Sequence, residues 1–103
     1  MSEAPRDLAS LTLPDFASRI GERFRMPSGD SELELELVSA EALGEPGQAG
    51  RRQPFSLVFR GPRAQALPQR IHRLESERLG VLEIFLVPIE PDPGGRRYEA
   101  VFS

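Results

Sequence analysis

The chain has 103 residues and a formal net charge of −3, with hydrophobic residues at 39% and charged residues at 28%. That is one soluble globular domain: no second domain fits, and the balance is not that of a disordered or fibrous chain. There is no Cys, which excludes disulfides, thiol nucleophiles and thiolate metal sites; the negative charge argues against broad nucleic-acid affinity, which rests on neutralising phosphates.

Residues 1–10, with Pro5 and mixed charge, read as a flexible N-terminus ahead of a single small β domain over 11–103. Leu13, Phe16, Ala17 and Ile20 then recur at helical spacing. Thr12 or a neighbour can cap the start, Pro14 fits only a first turn, and Gly21 is the expected stop. One short helix over about residues 14–20 follows, with a single apolar stripe.

From Glu22 the period becomes two. Phe24 and Met26 alternate with Arg23 and Arg25, and residues 27–30 carry turn chemistry. In residues 31–38, Leu33, Leu35 and Leu37 alternate strictly with Glu32, Glu34 and Glu36, so one strand face is core and the other solvent. Residues 44–53 read as a mobile surface loop without a core role. The next strand, 54–60, sets Phe55, Leu57 and Phe59 on one face and ends at Gly61 and Pro62.

Residues 71–75 form a further strand, and 81–89 is apolar on both faces apart from Glu83, which predicts the most buried strand. A hairpin loop over 91–95 leads to a last strand in which Tyr98, Ala100 and Phe102 alternate against Arg97, Glu99 and Val101. The fold class is therefore mainly β: about six antiparallel strands in a curled sheet or small barrel, with one short N-terminal helix.

Catalytic and metal-binding residue types are scarce. His72 is the sole histidine, and beside Arg70 and Arg73 it reads as a surface or sheet-edge residue, so no catalytic residue, cofactor or metal is assigned. The row Glu32, Glu34, Glu36 spaces carboxylates about 7 Å apart on one strand face, too splayed to converge on a cation; it reads as a solvated face with cross-strand Arg partners. Arg60 and Arg63 flank a rigid Gly61–Pro62 turn suited to gripping a carboxylate, while Arg96 and Arg97 follow a glycine pair whose amides could meet an anion. Glu83, a carboxylate in an apolar strand, must reach solvent or pair with an Arg. Arg60, Arg63, Glu83, Arg96 and Arg97 are thus the candidate binding residues.

Phe16 with Gly21 and Phe24, the strand Leu33 to Val38, PFSLVFRGP at 54–62, LPQ at 67–69, LGVLEIFLVPI at 79–89 and YEAVF at 98–102 together resemble a bacterial family of all-β proteins of about this length, classed as a domain of unknown function. The resemblance supplies no catalytic or binding residues. It implies an accessory or subunit of a phage-tail-like or fibrous assembly.

The expected function is a non-catalytic structural or protein-interaction module that meets a protein partner or copies of itself, partly through sheet edges. A β-barrel holding a small molecule near Glu83 or Arg60 is the alternative. It needs an interior cavity, and filling by Phe55, Phe59, Phe85 and Phe102 counts against it. No nucleic-acid partner and no membrane insertion are expected, because no stretch approaches the ~18 to 20 apolar residues of a membrane helix. The default location is cytoplasmic, with incorporation into an extracellular or particle assembly left open.

Overall fold

A computed structural model describes residues 4–28, 31–44 and 52–103. A 3-10 turn (Leu8–Ser10) and the helix α1 (Leu13–Ala17) precede six strands: β1 (Arg23–Ser28), β2 (Ser31–Ala42), β3 (Phe55–Gly61), β4 (Arg70–Ser76), β5 (Gly80–Asp92) and β6 (Gly95–Phe102). The strands are antiparallel throughout and close into a barrel in the order β1-β2-β3-β6-β5-β4. Closure is thin at one seam, where β1 and β4 pair only at Arg25↔Glu75.

Period-two alternation converts directly into an interior. Phe24 and Met26 from β1, Leu35 and Leu37 from β2, and Phe55, Leu57 and Phe59 from β3 point inward and are buried. Leu74, Leu82, Ile84, Leu86, Tyr98, Ala100 and Phe102 complete the filling from β4, β5 and β6. In β2 the register shifts by one residue between Leu37 and Ser39, a β-bulge that lets a 12-residue strand leave β1 and pair with β3. Past the bulge the phase reverses, so that Ala40 rather than Ser39 packs on the core.

The helix closes one end. Thr12 donates its backbone N–H to the Asp15 carboxylate (2.8 Å), and Asp15 donates its own to the Thr12 carbonyl (3.0 Å), reciprocal bonds that start the turn. Phe16 then sits 5.8 Å from the ring of Phe55 and 5.5 Å from that of Phe102. The helix ends at Ala17 rather than at the expected stop, and the turn that follows closes at Gly21, whose φ of 95° suits a residue without Cβ. The helix is shorter than the spacing predicts, and its stripe narrows to buried Phe16 and half-buried Leu13, with Ile20 exposed; five residues make barely more than one turn.

Toward the opposite end, the connection over 62–69 lays Leu67 on the core, and its backbone N–H donates to the Tyr98 hydroxyl at 3.0 Å. Three expectations change here. His72 is not at the surface: its inward position in β4 buries it to 6% exposure, and its Nε2 lies 2.8 Å from the Pro68 carbonyl, which can only accept, so this nitrogen carries the proton. Residues 81–89 are not apolar-buried on both faces, because a closed barrel has one inside; Phe85 stands outward at 49% exposure.

The third concerns residues 44–53, of which 45–51 lie outside the described residues. Gln53 donates to the Leu43 carbonyl at 2.8 Å. Arg52 stands over the rings of Phe55 and Phe102 and bonds the carbonyls of Leu8 and Leu11 and the main-chain oxygen of Ser103. It therefore fastens the N-terminal segment to the barrel end. Arg6, in the segment expected to fray, donates its backbone N–H to Val81 at 2.7 Å.

Candidate functional site

Two surface features contain the candidate residues, and they meet at Arg97, which lies opposite Ile89. The first is a corner where β3 ends, β6 begins and the β5–β6 hairpin turns. Asp92 closes β5, and its Oδ1 accepts the backbone N–H groups of Gly94 (2.8 Å) and Gly95 (3.1 Å), the local turn chemistry of an aspartate before a glycine pair. Its Oδ2 accepts Arg60 Nη1 at 3.3 Å, while Arg60 Nη2 donates to Glu36 at 3.1 Å. Arg63 Nη2 donates to the Asp92 carbonyl at 2.7 Å, and Arg96 Nε donates to the Arg63 carbonyl at 2.8 Å. Arg97 Nε reaches the Glu90 carbonyl at 2.9 Å.

So the fold gathers Arg60, Arg63, Arg96 and Arg97 in one corner and leaves Glu83 elsewhere. The carboxylate that the Arg60–Arg63 turn is shaped to grip is the chain's own Asp92. The glycine amides are likewise taken by Asp92, which leaves them no capacity for an external anion. Register explains the rest: Arg97↔Arg60↔Glu36↔Arg23 form a row across β6, β3, β2 and β1, so Glu36 lies between two arginines. Glu34 has Arg23 at 3.4 Å, and the acidic strand face is solvated and cross-paired. Among the described residues no group of three His, Cys, Asp or Glu side chains can hold a metal ion.

Electrostatics follow from these contacts. The hydrogen bond to Glu36, then that to Asp92, holds the Arg60 guanidinium above its ordinary pKa. For Asp92, partial burial pushes upward, but the Gly94 amide, Arg60 and the Gly95 amide outweigh it, and the carboxyl lies below its ordinary value of 3.8. A depressed folded-state pKa contributes stability that is complete above the unfolded value and is lost as pH falls through the lower folded one. Thermal melts between about pH 2 and pH 5 should therefore show a steeper acid loss for the native chain than for Asp92→Asn, which keeps an oxygen for the glycine amides. Parallel acid profiles would exclude Asp92 as a source of the acid sensitivity.

The second feature is apolar and faces outward from β4, β5 and β6. Ile71 is 63%, Phe85 49% and Val101 62% exposed, and Ile71 is paired directly with Phe85 across the strands. Phe85, Ile71 and Val101 line one groove together with Arg52 and Glu83. Half-buried Val87 and Ile89 continue the β5 side of the stripe, and Val58 follows on β3 beyond Glu99. Glu99 turns its carboxylate to the Ser56 hydroxyl at 2.7 Å. Glu83 reaches solvent, without a hydrogen bond or ion pair among the described residues.

Sequence reading missed this stripe. A signal was present: Phe85 stands two residues from Glu83, Ile71 two from Arg73, and Val101 two from Glu99, so each shares a face with a charge. Phe85 cannot belong to the barrel filling; Phe55, Phe59 and Phe102 do.

Against known proteins, the family model of a domain of unknown function, DUF6916, matches residues 11–102. No curated protein and no solved structure matches the chain. Among the described residues no helix is long and apolar enough to cross a membrane.

Proposed function

Since the chain belongs to the DUF6916 family, a domain of unknown function spanning residues 11–102, we propose a function from its surface: a non-catalytic structural or protein-interaction module that docks through the outer face of β4, β5 and β6. The observation that carries this reading is the Ile71–Phe85–Val101 stripe, three large apolar side chains left exposed side by side on a barrel whose interior is already filled. A lone exposed apolar residue is ordinary, whereas a contiguous set bounded by charges is characteristic of contact surfaces. The filled interior favours an outside partner over a small molecule held within. A place as accessory or subunit of a phage-tail-like or fibrous assembly agrees with such a role.

Affinity capture of the tagged chain from its own cells, followed by native mass measurement, tests this. A stoichiometric protein partner, or further copies of the chain, is expected with the native protein and is expected to be lost with Val101→Glu, an exposed position whose change leaves the melting temperature nearly unaltered. Recovery of the native chain alone would contradict the proposal, and a co-purifying small molecule would favour a ligand-binding barrel.

A further inference from the structure

Two strand edges of this barrel are poorly suited to association, and its outer face offers a broader apolar surface. Past Leu86, β5 has lost β4 and pairs only with β6; β1 meets β4 at a single position. Two of the open edges carry exposed prolines, Pro88 and Pro91 on β5 and Pro27 on β1, whereas the β4 edge toward β1 and the mutually unpaired stretches 80–86 of β5 and 100–102 of β6 carry none. Proline has no N–H to give an added strand and blunts an edge against pairing. Partner binding by strand addition, one of the routes expected from sequence, is thus disfavoured on the two proline-bearing edges. The apolar face has no such guard.

We propose that the occupant of this face is a second copy of the same chain, packed sheet on sheet about a twofold axis level with Leu86 and crossing β5. The inference rests on the reading of the face as a docking surface and names its partner. Its warrant is the self-complementarity of charge along β5. Glu83 lies at one end of the outward row Glu83, Phe85, Val87, Ile89, and Arg97 of β6 is paired with Ile89 at the other. Six residues of strand, about 20 Å, separate the two ends. Glu83 makes no hydrogen bond or ion pair among the described residues, because Arg73, directly across from it on β4, turns its Nε to Glu75 at 3.5 Å, and Arg97 is bonded only through Nε, with both terminal nitrogens unused there.

A twofold at Leu86 exchanges the ends. Phe85 of one copy then faces Val87 of the other, and Glu83 comes level with Ile89 of the second copy, one strand spacing of about 4.8 Å from its Arg97. The symmetry makes this ion pair twice. Val101 of one copy would then lie over Glu99 of the other, whose carboxylate is already turned to Ser56. A partner of uniform charge satisfies only one end of the row; an inverted copy satisfies both.

Sedimentation equilibrium of the purified chain, from about 1 to 200 µM, provides the test. The native chain is expected to dimerise reversibly, and Phe85→Asp to weaken the dimer at least about tenfold. Glu83→Arg and Arg97→Glu should each weaken it, by setting like charges against each other, and the double variant should recover it. Circular dichroism melts check that each variant remains folded. A native chain that stays monomeric across this range, a dimer indifferent to Phe85→Asp, or a double variant that fails to recover would overturn the twofold arrangement. If the purified chain is monomeric yet cellular capture yields a different stoichiometric protein lost with Val101→Glu, the docking surface stands and the second copy falls; failure of both experiments removes both.

Discussion

Phe55→Ala is expected to lower the unfolding free energy by about 3–5 kcal/mol, the range for truncating a fully enclosed aromatic side chain. Phe55 has 0% exposure and stacks on Phe102 with centroids 4.8 Å apart and planes 7° from parallel. It also meets Phe16 of the helix and lies under the Arg52 guanidinium. The substitution therefore opens a cavity where the helix, β3, β6 and the Arg52 clasp converge, and little can collapse into it. Urea denaturation of the variant against Phe85→Ala measures the contrast. Phe85 is half exposed, so its truncation should cost no more than about 1 kcal/mol. Equal losses in the two variants would mean that the helix end is not packed as described.

Gly95→Ala should be the other severe change, at about 2–4 kcal/mol. Gly95 has φ 150°, a conformation that side chains rarely adopt, and a Cβ there would collide with the Gly61 carbonyl oxygen. Neither the turn nor the neighbouring strand can yield easily, because Asp92 binds the Gly95 amide and Gly61 is paired with Arg96. Two comparisons separate the causes. Gly94→Ala meets the Arg60 guanidinium at 2.9 Å, a side chain able to swing aside, and Gly21→Ala at φ 95° meets nothing within 4 Å. Both should cost less than Gly95→Ala in thermal melts; an equal or smaller loss at Gly95 would show that the hairpin adjusts freely.

Both changes act on parts of the molecule whose legibility differed. The strand faces of Phe24, Leu35, Phe59 and Tyr98, and the β5–β6 hairpin were all readable, because alternation and turn residues are local properties of the backbone. The Arg60–Arg63 corner was readable as a carboxylate grip but not as one already filled. Asp92 is 32 residues from Arg60, and only the β3–β6–β5 register brings them together. His72 and Phe85 were misread for one reason. Which face of β4 and β5 is inside depends on the closure of the barrel, and flanking composition favoured the opposite assignment: arginines beside the histidine, aliphatic residues around the phenylalanine.

By itself, then, the sequence determined the strand count, the short capping helix, the inward set of most strands and the family, since these follow from period-two hydrophobic patterning, turn chemistry and motif. The tertiary structure decided where β2 changes phase, that Arg52 clasps the barrel end, that the arginine corner satisfies itself, and that Ile71, Phe85 and Val101 share an outer face. Those outcomes depend on pairing between strands distant in the chain and on ring closure, and neither leaves a periodic trace within a single segment.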